Sequence, residues 1–140
     1  AMDGLGLVGR ISGVANNTSR VVLLGDISSR VAVTIDSSGQ RALLVGDNTN
    51  QPTIEFLEKP TSVRAGDRVM TSGDGGVFPP GVLVGQVIYS SSGRLRVLLA
   101  ADIQRLEFLR IIRHRAREKI TSTGGLVGLP PFKPSPPNDE

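Results

Sequence analysis

The residues whose types and spacing bear on chemistry are glycines and aspartates. In "SGDGGVFPPGVLVGQV" (72–87), Gly73, Gly75 and Gly76 surround Asp74, and the pair Gly-Asp recurs at 25–26, 46–47, 66–67 and 73–74. Glycines at this density cradle a phosphate when their N–H groups, a following lysine and a helix N-terminus converge on it. Here Pro79, Pro80 and Gly81 follow, then an apolar run, and no lysine stands among them. The stretch therefore reads as a turn that feeds a strand. Serine hydrolysis fares no better, because a serine nucleophile needs an imidazole base oriented by a carboxylate. Asp74 directly precedes Gly75-Gly76, where a double-barrel serine protease would place its nucleophile. The one histidine, His114, lies in a basic stretch past the strand-like runs and reads as a solvated residue.

Metal and glycosidase chemistry meet similar obstacles. Asp26, Asp47, Asp67 and Asp74 form neither an EF-hand loop nor a set with histidine. Each is explained as a turn former, since glycine reaches positive φ and an Asp carboxylate bonds to backbone just beyond it. Glu55, Glu58 and Asp67 suit a glycosidase-like carboxylate pair if they converge in space, but no aromatic sugar platform accompanies them. With no cysteine, disulfides, thiolate zinc sites and thiol nucleophiles are excluded. The expectation is a protein that is not an enzyme, with no catalytic, cofactor-binding or metal residue.

The elements that must position these turns show a period of two. Val31, Val33 and Ile35 alternate with Arg30, Ala32 and Thr34, while Leu95, Val97 and Leu99 alternate with Arg94, Arg96 and Leu98. That spacing sends one set to a core face and the other to solvent. "GLVGRI", "RVVLLGD", "RALLVGD", "TIEFLE", "DRVMTSG" and "GVLVGQVIY" read as further strands, and "DSSGQ" (36–40) and "YSSSG" (89–93) as hairpin closures. Aromatics are 4% of the chain, so Val, Leu and Ile must fill the interior. The fold class expected is all-β: small β-barrel(s) of short antiparallel strands, with one helical turn near 102–106 capped by Asp102 and a last strand near 107–112. Residues 1–113 are expected to form the barrel domain. Residues 114–140, basic and then rich in Pro, Gly and Ser, are expected to be a flexible tail.

Two stretches are candidates for interaction. The first is the turn with Asp74, Val77, Phe78, Pro79 and Pro80, where Phe78 is either presented to a partner or tucked under the barrel; tucked is favoured for Phe78 itself. The second is the basic patch Arg110, Arg113, Arg115, Arg117 and Lys119, opposed by Glu118 alone, a surplus of four. The whole chain carries +3, so the rest is −1 by subtraction, and the body has no bias toward nucleic acid. The bland reading of the patch is a solvated end of the domain. The alternative function is a nucleic-acid or anionic-surface binding module using 110–119.

"GLVGRI", "NTSRVVLLGDISSRVAV", "RALLVGD" and "VRAGDRVMTSGDGGVFPPGVLVGQV" together resemble the periplasmic β-domain of the rod shape-determining MreC family, from about Gly4 to Ile112. The most specific part is "GDRVMTSGDGGVFPPGVLVGQV". Asp74 departs from the hydrophobic residue often found there, and the tail past 113 is not a family hallmark. The resemblance implies a non-catalytic scaffold of the cell-elongation machinery, at the periplasmic face of the inner membrane. It implies a full-length protein with a membrane anchor, a dimerising coiled coil and two small barrels, the first of them incomplete in this chain. Implied partners are the elongation transpeptidase, other elongation-complex membrane proteins and further copies of itself. No cofactor is implied.

Overall fold

Valine, leucine and isoleucine at alternate positions decide the architecture of residues 1–115, which are the residues that the computed structural model describes. The strands are β1 (Gly9–Val14), β2 (Ser19–Leu23), β3 (Arg30–Ile35), β4 (Arg41–Val45), β5 (Thr53–Glu55), β6 (Arg68–Thr71), β7 (Leu83–Tyr89) and β8 (Leu95–Leu99). β1 and β2 pair as a separate ribbon. The other six close into an antiparallel barrel in the order β3-β4-β5-β8-β7-β6. Closure removes the unpaired strand edges that an open sheet of this size would expose.

Inside the barrel, the period-two residues meet. Val31, Val33 and Ile35 of β3 face Leu44 of β4, Val69 of β6, Val84 and Val87 of β7 and Val97 of β8, all 0–1% exposed and in one apolar cluster. Leu95 and Leu99 pack on its edge, while Leu98 is 47% exposed, so β8 keeps the alternation read from its sequence. Val84 and Val87 break parity because β7 carries a bulge. Val69 pairs with Gly85 but Met70 pairs with Leu83, and the extra residue turns Val84 inward. The ribbon is tied to the same core: Leu7 N–H donates to Leu83 O (2.8 Å) and Leu24 N–H to Val8 O (3.0 Å), with Leu7, Val8 and Leu24 buried.

Both expected hairpin closures are present. Gly39 (φ +68°) lets its own N–H reach Ile35 O at 2.8 Å, and Gly93 (φ +79°) does the same to Ser90 O at 2.9 Å. The helical turn forms as a 3-10 turn over Ile103–Arg105, with the Asp102 carboxylate accepting from Gln104 N–H.

Three local readings need correction. The strand expected at 107–112 shrinks to a single bridge, Met2 with Arg110. No strand forms beside it, because the chain after Met2 turns: the Asp3 carboxylate accepts from Leu5 and Gly6 N–H, at 2.7 and 2.8 Å. "TIEFLE" stays extended only to Glu55, since Phe56 takes φ +62° and leaves the sheet. Finally, only two of the four Gly-Asp glycines, Gly66 and Gly73, have positive φ. Gly25 and Gly46 serve close approach instead: a Cβ on Gly46 would overlap Asp26 O, and one on Gly25 would lie 2.5 Å from Thr49 O.

Candidate functional site

The turn between β6 and β7 is held from below by one buried hydroxyl. Thr71, 2% exposed, donates from Oγ1 to Pro79 O (2.6 Å) and accepts there from Val82 N–H (2.9 Å). Its backbone pairs too, Thr71 N–H with Val82 O and Gly81 N–H with Thr71 O. Phe78, 8% exposed, drops into the core cluster and plugs the turn from above. The favoured tucked position is the one found.

What remains outside is small. Val77 is 59% exposed, Pro80 and Asp74 are exposed, and Pro79 is half-buried. Asp74 hydrogen-bonds with the Ser72 hydroxyl (3.1 Å) and lies 3.4 Å from the Arg41 guanidinium of β4. That ion pair is largely solvated and adds little stability, but it fixes the sign of charge at the turn tip. Beyond the turn, residues 83–89 are the strand β7, so no helix N-terminus faces these glycines. The arrangement offers an apolar side chain flanked by one charge of each sign.

Among the described residues, Asp26, Asp47 and Asp67, singled out in the sequence, each fasten their own turn. Asp26 is held below its ordinary carboxylate value by the Ser28 hydroxyl and then the Ser28 N–H, and Asp67 by the Arg64 N–H and then the Ser37 hydroxyl. For Asp47, burial pulls upward but is outweighed by the Thr49 hydroxyl, the Arg96 guanidinium and the Thr49 N–H, so it too lies below the usual range. All three are ionised turn fasteners. Glu55 ends β5 opposite Leu43, Glu58 lines a shallow depression beside Phe56 and Arg41, and no hydrogen bond among the described residues joins either to Asp67. Among the described residues, no three His, Asp or Glu side chains are placed to share a metal ion.

Arg110, Arg113, His114 and Arg115 are exposed, and the last three line a groove with Arg10 and Ile11 of β1. Arg117 and Lys119 lie outside the described residues. Thr71 is the functional residue that sequence reading missed. One hint was available, a lone threonine at the inner position of "RVMT".

Residues 1–113 match the family described as "Rod shape-determining protein MreC, barrel core". The chain belongs to the MreC family. Among relatives, it is 62% identical over 135 residues to the cell shape-determining protein MreC of Cereibacter sphaeroides, covering 96% of this chain and 45% of that protein. A crystal structure of MreC from Pseudomonas aeruginosa superposes with TM-score 0.65 at 29% identity, over 74% of this chain and 72% of that one. A structure of the major periplasmic domain of the cell shape-determining filament MreC superposes with TM-score 0.57 at 30% identity, over 70% and 66%. The chain thus spans less than half of the length of its Cereibacter relative; the family model covers residues 1–113, while the likeness to that relative takes in nearly the whole chain.

Proposed function

We propose that this domain is a non-catalytic scaffold of the bacterial cell-elongation machinery. It binds and organises wall-synthesis proteins, the elongation transpeptidase among them, at the periplasmic face of the inner membrane. The full-length protein is membrane-anchored and self-associating in this reading. The observation that carries it is the family match over residues 1–113. The structure supports it with a closed barrel whose glycine turns are fastened by backbone and carboxylate hydrogen bonds, which suits a rigid body that presents surface.

The contact we assign is the β6–β7 turn, with Val77, Pro80 and Asp74 as the touching residues and Phe78 and Pro79 as their support. An apolar tip ringed by charge is the pattern of a small interface anchor. A pull-down of the elongation transpeptidase by the full-length protein tests it. Val77→Asp is expected to weaken capture by roughly tenfold or more, the equivalent of about 1.4 kcal/mol or more. Unchanged capture with an unaltered melting curve removes the turn from the contact, and no capture by the wild type ends the transpeptidase reading.

A further inference from the structure

Residues 108–115, Phe-Leu-Arg-Ile-Ile-Arg-His-Arg, run outside the barrel with apolar and basic side chains exposed side by side. Phe108 is 87% exposed, Ile111 52%, Ile112 39% and Leu109 36%. Scattered single apolar residues on a surface are ordinary, but four large ones within five positions are not. Arg110, Arg113 and Arg115 stand exposed between and after them. Arg10 on β1 lines the same groove as Arg113 and Arg115, and the exposed Val14 lines it too. Ion pairs among the described residues are Arg41 with Asp74 and Arg96 with Asp47, so none of these four guanidiniums is ion-paired with a described carboxylate. Residues 108–115 hold no carboxylate; Glu107 precedes them, Glu118 follows, and Asp3 lines a neighbouring depression with Phe108 and Arg110.

Charge and apolarity together select the occupant. A nucleic acid or other polyanion would engage the guanidiniums and leave Phe108 and Ile111 in water. An anionic leaflet takes both, with arginine heads at the phosphate level and the apolar groups about 5–10 Å into the headgroup–acyl boundary. We propose that the face formed by residues 108–115 with Arg10 and Val14 docks on the surface of an anionic lipid leaflet. This inference is independent of the scaffold reading, since it depends on this face alone.

Co-sedimentation of the full chain with phosphatidylcholine vesicles, with and without phosphatidylglycerol, tests it. Binding is expected only with phosphatidylglycerol and to fall as salt is raised. Arg110→Gln and Arg113→Gln should each lower partitioning about fivefold. Phe108→Ser leaves the charge unchanged, touches no core residue, and should lower it several-fold as well. Absence of binding to either vesicle overturns the proposal, as does equal binding to both. Wild-type vesicle binding by Phe108→Ser together with Ile111→Ser, with heparin binding retained, assigns the face to polyanions and also overturns it.

Discussion

Thr71 is 2% exposed, and its hydroxyl donates to Pro79 O while accepting from Val82 N–H. Removing that oxygen leaves a partly buried donor and a partly buried acceptor without partners, which is the costly way to lose a hydrogen bond. Thr71→Val keeps the shape and is expected to destabilise the domain by about 1–3 kcal/mol in urea unfolding, with Thr71→Ser recovering part of it. The turn that Thr71 fastens was legible as a turn, because no lysine follows its glycines and the run after the prolines is apolar. The fastening was not legible. Alternation from Val69 puts Thr71 on the inner face of "RVMT", but the partners of its hydroxyl, Pro79 O and Val82 N–H, are set by the path of the turn and carry no sequence mark. The glycines before aspartate show the same limit: Gly46 and Gly73 look alike in sequence, yet one yields to a crossing carbonyl and the other to positive φ.

Strands with strict alternation, β3 and β8, were readable because the barrel buries one face of each. The short strand β5 was read as a strand but too long, since a left-handed Phe56 ends it after Glu55 and no composition signal announces that. β5 meets β8 at one paired position, Thr53 with Arg96, and there a charged clasp supplements the ladder. The Arg96 guanidinium reaches Asp47 at 2.6 Å and Gln51 O at 2.9 Å, with both charged side chains about a quarter exposed, 24% and 27%. Asp47 lies below its ordinary value in the folded chain, against about 3.9 when unfolded. It therefore stabilises the fold above that pH, and the contribution fades as pH falls through the lower folded value. Asp47→Asn is expected to lower stability at neutral pH and to flatten the fall of stability below about pH 4. Urea midpoints measured across that range check it; a mutant whose acid limb stays parallel to the wild type's would show that the clasp adds nothing to the seam.

At the scale of the whole molecule, the order β3-β4-β5-β8-β7-β6 was beyond sequence reading, because β5 and β8 are brought together by closure and not by any local signal. Hairpins were readable, since their turns lie between neighbours in the chain; the closing seam has no such mark. The same holds for the ribbon, whose sequence reads as two more strands but whose role is to seal the core. Leu7 and Leu24 belong to the barrel's own apolar cluster, and Leu7 N–H is bonded to Leu83 O of β7. Ribbon and barrel thus share buried contacts and should melt as one unit. Leu7→Ala removes a side chain that is 3% exposed and is expected to cost about 2–5 kcal/mol. If the two parts are one cooperative unit, amide protection should fall by the same factor in β1–β2 and in β3–β8, as read by native-state hydrogen exchange. A loss confined to residues 9–23, with barrel protection unchanged, would instead make the ribbon a separate unit resting on a barrel that is stable alone.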